Sequence, residues 1–190
     1  KIKKKIPLIG NVARYDPKKD HSNLLKAISL VKQRNTHFCC ILVGSGGNKS
    51  NTNLMREIRE LKLRNNVKLL GQIRNIAKVM SVLDLYIQSS SYGEGFPNVV
   101  AEAMACRTPS VVTDAGDASY IVGNTGWVVP PKNPIKLAKS IQKALTEINN
   151  KNWKKRWNNS RLRIKQNFDI EKMLKSFNKV WTKVLAKQFK

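Results

Sequence analysis

Apolar residues along the chain fall into two alternating patterns. Short, nearly continuous runs at residues 6–13 (IPLIGNVA), 37–44 (HFCCILVG), 67–70, 83–88 (LDLYIQ) and 108–113 predict strands buried on both faces, as in a parallel sheet. Between them apolar positions recur at helical spacing. Leu24, Leu25, Ile28 and Val31 mark a helix over 22–33, and shorter helices are predicted over 53–63 and 76–82. Residues 123–131 (GNTGWVVPP) predict a hairpin-like turn followed by a last short strand. Strand, helix, strand at these spacings implies right-handed crossovers, and so an α/β, Rossmann-like doubly wound parallel sheet with helices on both faces.

The pattern changes after residue 130. Ile135, Ala138, Ile141, Leu145 and Ile148 form one apolar helical stripe, Trp153 and Trp157 mark a second helix, and Ile170, Met173, Leu174, Phe177, Val180, Trp181, Val184 and Leu185 form a longer stripe. The chain therefore divides into a basic lead-in or linker at 1–5, a sheet domain at 6–150, and C-terminal helices at 151–190 that complete or bridge it. At 190 residues this is one domain with a real core.

Open parallel sheets bind ligands beyond the carboxyl ends of their strands. Arg14, Gly44, Ile73 and Glu94 all fall at such ends. The cluster Ser45-Gly46-Gly47-Asn48 after the second strand lacks the full G-x-G-x-x-G spacing, so it is not read as a nicotinamide site. The most informative stretch is 89–106, SSSYGEGFPNVVAEAMAC. It reads as a strand end, a glycine-flanked loop, and a helix with Pro97 in its first turn. The first free N–H groups of that helix, those of Asn98 and Val99, point outward and attract an anion. Glu94 precedes the helix and Glu102 lies in its second turn, about 7 Å further along the axis than Pro97. Carboxylates at both ends of such a shelf suit a molecule with hydroxyls at each end and phosphates between.

Glu94, Gly95, Phe96, Pro97 and Glu102 resemble the E-x7-E signature of retaining family 4 glycosyltransferases, enzymes of the GT-B fold that move a sugar from a nucleotide-sugar to an acceptor. The resemblance spans about residues 6–148 and rests on several motifs in order. It implies that Arg14 and Lys19 hold the donor's diphosphate and that main-chain groups at Ile73 face the nucleobase. It also implies that Gly44, Gly95, Phe96, Pro97, Asn98 and Val99 line the donor, that Glu102 takes the ribose diol, and that Glu94 orients the sugar's hydroxyls and lends negative charge near an oxocarbenium-like carbon. In this class the leaving phosphate accepts the acceptor's proton, so Glu94 is not assigned as nucleophile or base. The implied donor is a UDP- or GDP-sugar, substrate rather than cofactor, and no metal is expected. The helix after Gly116 carries Asp117 and Tyr120 where many relatives have a glutamate. The implied acceptor is a glycan or a lipid-linked sugar, in bacterial surface polysaccharide synthesis. The resemblance further implies that this chain is the C-terminal half of a GT-B fold, that its partner is an N-terminal acceptor domain of the same protein, and that the fragment transfers nothing alone.

Charge adds a second theme. The formal net charge is +24, and seventeen Lys or Arg against three acidic residues lie after Pro130. Such a face suits anionic membrane or nucleic acid. The aromatics there sit at helical spacing, and no nucleic-acid motif appears, so nucleic acid is the weaker partner. The alternatives to a transferase are thus a basic membrane- or nucleic-acid-binding module, or a nucleotide-sugar epimerase of the same fold. Cys39, Cys40 and Cys106 show no zinc spacing and read as reduced core thiols, which places the protein in the cytoplasm, with its basic helices peripheral at the inner face of the membrane.

Overall fold

The structure, a computed structural model, describes residues 6–34, 37–148 and 150–188; the lead-in at 1–5 lies outside them. Six strands, β1 (Leu8–Val12), β2 (Cys39–Val43), β3 (Val67–Gly71), β4 (Leu85–Gln88), β5 (Ser110–Thr113) and β6 (Trp127–Val129), form one sheet in the order β3-β2-β1-β4-β5-β6. Every pairing is parallel. The order reverses between β1 and β4, the position at which sheets of this kind bind ligands.

Helices cover both faces because alternate strand residues feed two apolar clusters. Ile9, Cys40, Leu42, Leu85, Ile87 and Val111 pack on one face, under α1 (His21–Arg34), α2 (Thr52–Glu60) and α6 (Pro134–Glu147). Val12, Ile41, Val43, Tyr86 and Val112 pack on the other, under α3 (Ile76–Val82), α4 (Asn98–Ala105) and α5 (Ala118–Val122). Cys40 belongs to the first cluster and Cys39 leans on the second, as neighbours on a strand must. The Asp84 carboxylate accepts from the Leu8 N–H at 2.8 Å and ties the start of β1 to β4.

Two expectations need correcting. Residues 123–131 form no hairpin: a 3-10 turn at Gly123–Thr125 leads into β6, which pairs parallel with β5. The reason is that α5 and the turn carry the chain back to the sheet's amino edge before β6 begins. Pro97 is not within the helix but caps it, with φ −73° and ψ 91°, and α4 starts at Asn98. An extended ψ at this position turns the chain from the loop into the helix axis.

The final elements are α7 (Trp153–Asn167) and α8 (Ile170–Gln188). Arg156 braces α7 onto the sheet domain, binding Glu147 at 2.7 Å and lying 4.3 Å over the Trp127 ring. By contrast, the apolar stripe of α8 is 47–66% exposed from Ile170 through Leu185. No helix among the described residues is long and apolar enough to cross a membrane.

Candidate donor site at the sheet switch point

The loops after β1 and β4 meet at the point where strand order reverses. After β1, Asp16 caps a 3-10 turn at Pro17–Lys19, accepting from the Lys18 N–H at 2.9 Å; this bond foremost holds the Asp16 carboxyl below its usual range. Asp20, in the left-handed region at φ 46°, ends the turn, and its carboxylate accepts from the Asn23 N–H in the first turn of α1. The tight turn lifts Lys19 toward β4. There its ammonium meets the Glu94 carboxylate at 2.5 Å, with the Glu94 side chain only 9% exposed. Ser90 Oγ donates to the same Oε1 at 2.5 Å.

The backbone fixes this meeting. Ser89 Oγ donates to the Lys19 carbonyl at 2.7 Å, and the Ser91 N–H donates to the Lys18 carbonyl at 2.8 Å. From the far side, Thr113 Oγ1 donates to the Ser90 carbonyl at 2.6 Å and the Asp117 N–H to the Gly95 carbonyl at 2.9 Å. Gly116 makes that second clamp possible: at φ +57°, a Cβ there would stand 2.2 Å from the Glu94 carbonyl oxygen. Loops after three strands thus converge on Glu94.

Beyond the loop, α4 opens with no side-chain cap, leaving the Asn98 end as a concentration of N–H dipole. Gly95 faces open space, and Phe96 packs its ring 5.5 Å from Phe168 at the end of α7. Val99 is half-buried, whereas Glu102 is exposed on the outer face of α4. Tyr86, fully buried beneath them, has its phenol pushed up by burial first and then by the Glu94 and Glu102 charges, so both carboxylates bear on the same ground. Gly44 completes the β2 side. Its φ is +143° and a Cβ would lie 2.1 Å from the Ala13 carbonyl, so only glycine lets the loops after β1 and β2 touch. Ile73 sits after β3, half-buried against the second core cluster.

The structure therefore joins Lys19 and Glu94 directly and sets Gly95, Phe96, Pro97, Asn98 and Val99 in line beside them. It does not bring Arg14 onto Glu94: Arg14 is 67% exposed and pairs with Asp16 at 3.2 Å. The residues that position Glu94, namely Ser90, Thr113 and Gly116, were not singled out as site residues from sequence. The hydroxyl run Ser89-Ser90-Ser91 at a strand end was the available signal. No cluster of three or more metal-ligating side chains occurs among the described residues.

A six-stranded parallel sheet in this order, helices on both faces and a gathered set of loops at the switch point, defines the C-terminal domain of a GT-B glycosyltransferase. The description of the family Glycosyl transferases group 1 matches residues 1–167, and the chain belongs to that family. A glycosyltransferase structure from Rickettsia africae superposes with a TM-score of 0.86 at 26% identity, covering 95% of this chain and 48% of that one. HepE from Anabaena, in complex with UDP and glucose, superposes at 0.80 with 27% identity over 93% of this chain and 48% of its own. A Campylobacter jejuni N-acetylgalactosaminyltransferase that acts on a diphospho-undecaprenol-linked sugar is 35% identical over 106 residues, 56% of this chain and 27% of that enzyme. The chain thus spans half the length or less of these relatives.

Proposed function

We propose that this chain is the donor-binding half of a retaining glycosyltransferase that moves a hexose or related sugar from a UDP- or GDP-sugar to a glycan or lipid-linked acceptor. The observation that carries the reading is the Lys19–Glu94 pair at the switch point, set directly before the uncapped start of α4. A nucleotide-sugar laid across this shelf brings its diphosphate to Lys19, to Arg14 swung from Asp16, and to the Asn98 and Val99 N–H groups. Negative charge grows on that diphosphate as the sugar–phosphate bond breaks, and a fixed donor aimed at it is worth about 3–4 kcal/mol. Glu94 then receives the sugar's hydroxyls on the side facing away from Ser90, while its charge favours an electron-poor anomeric carbon. Glu102, one helical turn on, takes the ribose diol, and Gly44 and Ile73 bound the space for the base. The bound UDP and glucose of HepE support the donor class, and the lipid-linked substrate of the Campylobacter relative supports the acceptor class.

The test is calorimetric titration of UDP, GDP, ADP and their glucose conjugates into the chain, with Glu102→Ala as control. One nucleotide diphosphate should bind, and Glu102→Ala should weaken it about tenfold, the loss of one charged hydrogen bond. Glu102 is exposed, so its removal leaves the fold intact. Absence of binding by every nucleotide, with the fold intact, would overturn the assignment.

A further inference from the structure

A hollow in the described surface lies away from the candidate donor shelf. It has a volume of about 780 Å³ and opens between α3, the end of α4 and α7. Leu83 and Thr108, just before β4 and β5, floor it, so it sits at the amino edge of the sheet, whereas the donor shelf is at the carboxyl edge. The two are separated by the length of α4, about 12 Å at 1.5 Å per residue.

Three cations ring the hollow: Lys78 from α3, Arg107 after α4, and Arg161 from α7. All three are exposed, and none makes an ion pair or side-chain hydrogen bond among the described residues. The lining contains no carboxylate. The acidic residues closest along the chain are Asp84, next to the floor residue Leu83, whose carboxylate accepts from the Leu8 N–H at 2.8 Å, and Glu102, further back on α4. Arg107 holds its place at φ +65°, a left-handed position after a helix that glycine usually takes. Trp157, half-buried, forms part of the wall, and Leu83 and Ala105 add apolar surface beside the polar Asn75, Ser81 and Thr108. Lys154 and Lys165, both exposed, continue the line of Arg161 along α7 at helical spacing.

We propose that this hollow seats the headgroup of an anionic phospholipid and docks the domain on a membrane surface. The three unpaired cations supply the phosphate contacts, Leu83, Ala105 and Trp157 accept the glycerol and first methylenes, and the line along α7 meets neighbouring headgroups. An indole at the rim of a basic site suits the boundary between water and acyl chain. Phospholipid is favoured over nucleic acid because the cations surround a partly apolar hollow with Leu83 and Ala105 in it, and its aromatic is a single wall, not a stack. The proposal does not depend on the donor reading, since the two sites lie at opposite edges of the sheet and both can be filled at once.

The test is flotation of the chain with phosphatidylcholine vesicles, with and without phosphatidylglycerol. The triple variant Lys78→Gln/Arg107→Asn/Arg161→Gln should partition about a hundredfold more weakly onto the anionic vesicles, from roughly fivefold for each cation near such a surface. The double variant Lys78→Gln/Arg161→Gln leaves the left-handed position unchanged and guards against a folding defect; it should lose about thirtyfold. A control that removes equal charge from the opposite helical layer, Lys26→Ala/Lys136→Ala/Lys139→Ala, should lose no more than about threefold. Quenching of tryptophan fluorescence by brominated lipid should fall by most of its amplitude in Trp157→Phe. Equal losses in the hollow and control variants would show diffuse attraction and overturn the site. So would undiminished quenching in Trp157→Phe, or a single-stranded RNA oligonucleotide that binds more tightly than the vesicles and is lost in the same triple variant.

Discussion

Replacing Lys19 with methionine keeps most of the aliphatic side chain and removes its charge. In the structure that ammonium is one of two donors to Glu94 Oε1, the other being Ser90 Oγ, and both distances are 2.5 Å. Removing one partner of a buried ion pair costs about 3–5 kcal/mol when the remaining ion is left bare. Here Ser90 still donates and the Lys19 side chain is 23% exposed, so the value for a single charged hydrogen bond applies, about 2 kcal/mol. For a chain of this length that lowers Tm by about 4–8 °C. The same ammonium is assigned to the donor's diphosphate, so UDP should bind Lys19→Met about thirtyfold more weakly by calorimetry. Glu94→Gln separates the two roles. The amide oxygen still accepts from Lys19 and Ser90, so UDP affinity should hold while the extra affinity of UDP-glucose over UDP disappears. The double variant should restore about 1–2 kcal/mol of the stability expected from adding the single losses. If Lys19→Met loses stability but binds UDP as tightly as the parent chain, the pair is structural and the diphosphate belongs elsewhere.

Gly116→Ala should be more damaging than its size implies, because the new methyl lies 2.2 Å from the Glu94 carbonyl oxygen at a left-handed φ; we expect a loss above about 2 kcal/mol in urea unfolding and a weakened nucleotide, and an unchanged midpoint would refute the clamp. His21, buried at the start of α1 with Nδ1 unpartnered among the described residues, is pulled down to about 4 by burial. The unfolded chain takes up this proton near 6.5, so it binds more protons than the folded chain between those values. Stability should then be full above about pH 6.5 and fall by about 3 kcal/mol toward pH 4, and His21→Phe should flatten that slope; parallel slopes would refute it. Phe177→Ser/Trp181→Ser on the exposed face of α8 should change the stability of this chain by less than about 0.5 kcal/mol, whereas Leu24→Ala in the core should cost about 2–5 kcal/mol, both read by denaturant titration.

The sheet could be read from sequence because its signals are local. Each buried strand is a short apolar run, each covering helix an apolar stripe, and parallel pairing follows from their alternation. The loop GEGFP and the helix after it were legible for the same reason: proline and glycine constrain backbone within a few residues. By that route Glu94, Pro97, Asn98, Val99 and Glu102 fall together on one loop and helix start, and the family resemblance adds Gly95 and Phe96.

What tertiary structure alone decided involves partners distant in the chain. Glu94 and Lys19 are 75 residues apart, and nothing local in either segment says that one will hold the other. The same holds for Gly116, whose need for a missing Cβ arises only because the Glu94 carbonyl is folded against it, and for β6, whose direction depends on where α5 delivers the chain. The hollow among α3, α4 and α7 is the extreme case: Lys78, Arg107 and Arg161 are three basic residues among many until packing sets them around one space. Sequence determines which backbone each segment prefers. Which side chains then share a low-dielectric site is a property of the packed layers, because charge and hydrogen-bond energies depend on distances that only the assembled sheet and helices define.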